Sequence, residues 1–139
     1  MRVVHSIEGA HVDGLLALYA AAWWARARRR DDVVRMLAGS AAVVGLVDDA
    51  GRLVAFARAI TDGVFRAVVY DVIVDPGLHG RALGRQVMDA LLAHPRLAGV
   101  ESVALYCLPD LVPFYERLGF TDDVHDLRLM LRGGAGGAP

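Results

Sequence analysis

Apolar residues along this chain follow two rhythms, and the alternation between them predicts the order of its elements. Short runs rich in β-branched residues at 2–7, 42–47, 53–61, 65–74 and 100–107 read as strands. Residues 11–29 read as a helix by their Ala and Leu content. Arg26, Arg28, Arg29 and Arg30 crowd its end, where cations complement the helix dipole. Asp31 or Asp32 is placed to cap a second short helix that Gly39 ends. A third helix covers 81–93 and stops at His94-Pro95-Arg96. A fourth, short one occupies 109–119 with Gly119 as its stop, and 120–122 and 127–131 read as closing strands. Asp48-Asp49-Ala50-Gly51 and Thr61-Asp62-Gly63 are turns between neighbouring strands. The first half is thus a meander, and the strand–helix–strand that follows residue 74 implies one parallel pair. The expected class is α/β, a mixed and mostly antiparallel sheet with about four helices.

The segment VDPGLHGRALG, residues 74–84, breaks both rhythms where a strand hands over to a helix. It has few side chains to pack, so its backbone is the chemically interesting part. A helix N-terminus leaves N–H groups without partners and carries partial positive charge, which suits phosphate. Gly80, Ala82 and Gly84 are spaced by two, and Arg81 and Arg85 add charge that reaches phosphate oxygens. The segment lacks the Gly-Lys-Ser/Thr end of a Walker loop, and it is not a Gly-x-Gly-x-x-Gly dinucleotide turn. A tight structural turn is the plain alternative.

Composition narrows the partners. The 139 residues suit one domain, read as 1–132 with a glycine-rich flexible tail at 133–139. Hydrophobic residues are 55%, charged residues 22% and the net charge −1, which gives no basic footprint for nucleic acid and no polybasic arm for a membrane. Every one of the 15 basic residues is arginine, so any phosphate is held by backbone amides or guanidinium groups. The lone Cys107 allows no internal disulfide. No apolar leader opens the chain, and LLALYAAAWWA falls short of the ~20 residues a bilayer needs. These features point to a cytoplasmic protein. No His, Cys, Asp or Glu spacing resembles a metal site.

A second segment, ProPheTyrGluArgLeuGlyPhe at 113–120, lies beyond the next strand. Together the two segments resemble the GNAT superfamily of acyl-CoA-dependent N-acyltransferases. Val74, Pro76, His79, Gly80, Ala82 and Gly84 occupy that family's turn pattern, and Phe114, Tyr115, Gly119 and Phe120 its helix pattern. Residues 56–74 are similar to the plant and cyanobacterial serotonin N-acetyltransferase branch. The resemblance implies that the parallel pair is splayed to admit acetyl-CoA. Val72, Ile73 and Val74 would offer backbone groups to the pantetheine arm. The pyrophosphate would sit on His79, Gly80, Arg81, Ala82, Leu83, Gly84 and Arg85. Three positions depart from the family pattern. His79 stands for the usual Arg or Gln, Ala82 for a glycine, and Leu108 for an asparagine found in many relatives. The Ala82 methyl is tolerated if its φ is negative.

The implied reaction is direct acetyl transfer, in a ternary complex, to a primary amine of a small molecule. It needs a neutral amine, a polarised carbonyl and a proton for the leaving thiolate. Tyr115 is the family's acid, and a core tyrosine is its bland alternative. Asp71 is a carboxylate inside the apolar run VVYDVIV, costly unless paired. It is either the base or ammonium partner, with the groove-facing reading slightly preferred, or a structural ion pair with an arginine such as Arg58. Both Tyr70 and Asp71 face one groove only if a bulge interrupts the strand. Tyr19, Trp23, Trp24 and Tyr70 are candidates for the acceptor wall, suited to an aryl or cationic amine, with core packing as the alternative. Other functions compatible with the fold are a non-catalytic acyl-CoA sensor and a protein N-acetyltransferase. A homodimer is left open.

Overall fold

The computed structural model describes residues 1–133. The expected tail at 133–139 lies, apart from Gly133, outside the described residues. Two compact units are present, Met1–Leu105 and the segment from Tyr106 onward.

The first unit is built on a five-stranded sheet: β1 (Arg2–Val4), β2 (Ala42–Val47), β3 (Leu53–Thr61), β4 (Arg66–Val74) and β5 (Ser102–Ala104), side by side in that order. β1 to β4 pair antiparallel, and β5 joins β4 in parallel. This is the mixed, mostly antiparallel sheet the pattern predicts. β3 is buried at every position from Leu53 to Ala57, so both faces of the sheet are covered. One face carries α1 (Ala10–Ala20) and α2 (Arg30–Gly39), whose Val12, Leu15, Leu18, Tyr19 and Val33 form a core with Phe56 and Ile73. α3 (Leu83–Leu92) packs across β2, β3 and β4 through Leu83, Val87, Met88 and Leu91. The side chains of Leu15, Phe56, Met88 and Leu91 are completely buried, each removing about 1.5–3 kcal/mol of apolar surface from water.

The hairpin turn before β3 forms as expected: Asp48 accepts from the N–H groups of Ala50 and Arg52, and Gly51 takes φ 82°. Asp62 does the same before β4, accepting from Val64, Phe65 and Arg66.

α1 ends at Ala20, well before the expected 29, so Trp23 and Trp24 lie in turns beyond it. Arg29, not an aspartate, occupies the N-cap of α2; Asp31 and Asp32 sit in its first turn, where they still complement the dipole.

The second unit holds one turn of 3-10 helix (Pro109–Leu111) and α4 (Val112–Glu116). Gly119, at φ 92°, stops the chain from continuing as helix. Among the described residues the expected strands at 120–122 and 127–131 do not form. Leu127, Leu129, Met130 and Leu131 are exposed, and alternation alone does not make a strand without a partner ladder.

Candidate functional site

β4 is interrupted by one extra residue. Arg58 pairs with Tyr70 and Phe56 with Ile73, so Asp71 and Val72 together face the single residue Ala57. That is a β-bulge, and Asp71 takes φ 56° to make it. A left-handed backbone at a non-glycine residue costs about 1–2 kcal/mol, and here a buried network holds it in place.

The opposite edge of β4 is open for half its length. Its pairing with β5 stops at Val68 and Ala104, and among the described residues no strand pairs with the stretch from Val69 to Val74 on that side. The Asp75 N–H donates to the Val54 carbonyl across β3 at 2.8 Å. Successive residues point their backbone groups to opposite edges, so those of Val74 and Val72 face the opening. By the same alternation Ile73 bonds toward β3, and its side chain joins the core, so it drops out of the backbone set offered to a ligand.

At the end of β4 the chain is pinned before it turns. Asp75 accepts from the Gly77 N–H at 2.8 Å, capping a short 3-10 turn (Pro76–Leu78), and pairs with Arg52 at 3.0 Å. Beyond it, the backbone N–H groups of residues 79–85 find no acceptor among the described residues. The first bond of α3 belongs to Gln86, which donates to the Ala82 carbonyl. Gly80 holds φ 84°, a conformation that favours glycine. Ala82 holds φ 57° as the N-cap of α3. The condition for tolerating its methyl, a negative φ, is not met, and the turn carries that strain in place of the family's glycine.

On the helix side of β4 a polar cluster fills the space between sheet and helices. Asp71 is 3% exposed. Its carboxylate accepts from Tyr19 Oη at 2.9 Å, from Arg28 Nη1 at 2.6 Å and Nη2 at 3.3 Å, and from Arg58 Nε at 2.8 Å. Arg28 lies 4.7 Å from the Tyr19 ring and 5.3 Å from the Trp24 ring, and Arg58 lies 5.1 Å from the Tyr70 ring. The bulge therefore does bring Tyr70 and Asp71 to one side, since both touch Arg58.

Burial alone would raise the Asp71 pKa, but hydrogen bonds and charge from Arg28 and Arg58 outweigh it and hold the carboxyl below the usual aspartate value. A carboxylate with that affinity for protons is poorly suited to take one from an ammonium, so the base reading is replaced by the ion-pair reading. Burial and the Asp71 charge push the Tyr19 hydroxyl far above its ordinary pKa, so it stays a neutral donor. Tyr19 itself is buried and lines no open wall; Trp23 is exposed and outside the cluster. Arg28 is the residue that sequence reasoning missed. The signal was available: a buried acid in an apolar strand has room for more than one partner, and a run of arginines follows α1.

In the second unit, Tyr115 of α4 is buried against Phe114 and Phe120, with ring centroids at 4.9 and 6.0 Å. Burial, with a smaller contribution from Cys107, pushes its phenol up to about 12, so it is protonated at neutral pH. Burial and the charges of Asp110 and Asp122 likewise push the Cys107 thiol up, which disfavours a nucleophilic thiolate. His5 stacks edge-on against His94, with ring centroids 5.6 Å apart.

An open-edged strand runs through a bulge into a turn whose amides have no acceptor among the described residues, and together these define a mixed α/β protein with an anion-suited strand–helix junction. The chain matches the Acetyltransferase (GNAT) family over residues 12–120 and belongs to it. It is 48% identical over 107 residues to serotonin N-acetyltransferase 2, chloroplastic, of Oryza sativa subsp. japonica, covering 74% of this chain and 54% of that protein. It is 35% identical over 124 residues to GCN5-related N-acetyltransferase 1, chloroplastic, of Arabidopsis thaliana, covering 89% of this chain and 63% of that one. The chain thus spans between about half and two thirds of these relatives' length. A solved structure belonging to the GNAT family from Xanthomonas campestris pv. campestris superposes with a TM-score of 0.78 at 33% identity, covering 97% of this chain and 96% of that one.

The cytoplasmic expectation is overturned by these relatives, two of which are chloroplastic by name. A single cysteine fits a reducing compartment and does not distinguish one such compartment from another.

Proposed function

We propose that this chain transfers an acetyl group from acetyl-CoA to a primary amine of a small molecule. The observation that carries the reading is the run of N–H groups at 79–85 that have no acceptor among the described residues, reached directly from the open edge of β4. Those amides, with Arg81 and Arg85, hold the pyrophosphate as a helix N-terminus holds any phosphate. Val72 and Val74 extend backbone bonds to the pantetheine arm as an added strand would. When bound, acetyl-CoA supplies an activated acetyl group. An N–H group on the open edge of β4 polarises the carbonyl as the neutral amine attacks. The Tyr115 phenol gives its proton to the departing thiolate sulfur. No side chain in the cluster is suited to take the amine's proton, and water carries it away.

The test is thiol release from acetyl-CoA across a panel of amines, with Tyr115→Phe beside the wild type. The variant is expected to lose ~10²–10⁴-fold in kcat, the usual weight of a general acid, with acetyl-CoA affinity little changed by calorimetry. An unchanged rate would make Tyr115 a packing residue and the proton donor water.

A further inference from the structure

Given the acetyltransferase reading, on which this rests, we propose that the acceptor amine also carries an anionic group, a carboxylate or a phosphate, which Arg28 binds. The cluster beside the β4 bulge is not charge-balanced. Arg28 and Arg58 are two cations, and among the described residues the ion-pair partner of both is the single carboxylate of Asp71. The remaining contacts are neutral: Tyr19 Oη and Arg28 Nη1 on the Met36 sulfur at 3.4 and 3.8 Å, and Arg58 Nη1 on Ser40 Oγ at 3.5 Å. One positive charge is left over, next to the strand that offers its open edge to the thioester.

That charge is reachable. Arg58 is 14% exposed, whereas the Arg28 side chain is 32% exposed. A guanidinium has five N–H donors in a planar fork. Arg28 directs both of its terminal nitrogens at Asp71; the second hydrogen of Nη1 is turned to the weakly accepting Met36 sulfur at 3.8 Å, and that of Nη2 has no acceptor among the described residues. The fork is also fixed in orientation by the Tyr19 and Trp24 rings it lies over. A second anion meets a preformed donor set and loses little side-chain entropy in binding.

The same contacts remove the argument for a cationic acceptor. An aromatic wall attracts an ammonium through its ring faces, but here Tyr19 and Trp24 already hold Arg28, and Tyr70 holds Arg58. A second cation there would meet two guanidinium groups. An amine with an acidic group has the opposite fit: its anion is drawn to Arg28, and the local positive field favours the neutral form of the nucleophilic amine.

The experiment uses two matched pairs of acceptors, an aromatic α-amino acid against its decarboxylated arylethylamine, and phosphoethanolamine against ethanolamine. The readout is the ratio of kcat/KM within each pair, compared between wild type and Arg28→Gln. Dividing one protein's ratio by the other's cancels the intrinsic difference in amine reactivity. The ratio for one pair is expected to fall about tenfold or more in the variant, as for a lost charge-assisted hydrogen bond, with Arg28→Lys in between. The pair that responds identifies the anion. Should Arg28→Gln fail to fold, the wild-type KM for the anionic member must rise severalfold with added salt while that of its neutral counterpart does not. Turnover of the simple amines with ratios that neither the substitution nor salt moves would overturn the anionic acceptor alone. Failure to bind acetyl-CoA or to acetylate any of the four amines would overturn the acetyltransferase reading and this proposal with it.

Discussion

β4 serves two regions that treat polar groups in opposite ways. On its helix side, the carboxylate of Asp71 is met by four donors from Tyr19, Arg28 and Arg58, and no buried side-chain polar atom among the described residues lacks a partner. At its C-terminal end the backbone amides of residues 79–85 have no acceptor among the described residues. A polar group buried with all its bonds made holds a fold together. A row of polar groups left open to solvent on a fixed scaffold is available to a ligand. The difference separates the residues whose loss should unfold the protein from those whose loss should empty it.

The largest effect that would break this division falls on the helix side. Asp71→Asn leaves Arg28 and Arg58 without a counter-charge in a largely buried setting, which is expected to cost ~3–5 kcal/mol of stability. Denaturant unfolding measures it. A variant as stable as the wild type, but slow with amines, would return Asp71 to the reaction.

At the turn the expectation reverses. Gly84→Asp places a carboxylate in the first turn of α3, where helix stability tolerates it and phosphate does not. Acetyl-CoA affinity should fall about ten- to a hundredfold, the weight of one or two charge-assisted hydrogen bonds, while the melting temperature holds. Calorimetric titration against a melting curve separates the two, and wild-type affinity in a folded variant would remove the phosphate assignment.

Acid sharpens the same contrast without a substitution. The Asp71 carboxyl has a folded pKa below its unfolded value. Its contribution is therefore fully present above the unfolded pKa of about 3.9 and is lost as pH falls through the folded one. Wild-type stability should drop in that window, and the drop should be smaller in Asp71→Asn when the two are unfolded side by side.

The smallest effect tests the strained position in the turn. Ala82 sits at φ 57°, so Ala82→Gly should raise stability by about 0.5–1 kcal/mol, the left-handed penalty less the entropy glycine adds to the unfolded chain. A lower melting temperature would mean that the Ala82 backbone carries no such strain.

Much of this was legible in the order of residues. Strand and helix order follow from periodicity because β-branched alternation and helical spacing are local properties. The turn at 74–84 stood out because Gly80 and Gly84, with few bulky neighbours, have no packing use at a strand–helix junction. The bulge was foreseen only as a condition, because a lone Asp71 in VVYDVIV cannot share a side with Tyr70 on a regular strand.

What tertiary structure decided is everything that depends on residues far apart in the chain. Tyr19 and Asp71 are 52 positions apart and Arg28 and Asp71 are 43 apart, yet they share one hydrogen-bonded cluster. Sequence shows that a buried carboxylate needs a cation, but 15 arginines are on offer and spacing does not choose among them. Likewise, alternation suggested strands at 120–122 and 127–131 that do not form, because a strand exists only where another strand completes its ladder. The left-handed Ala82 belongs to the same group: its φ is dictated by the path from β4 into α3, and the residue type alone argued for the opposite sign.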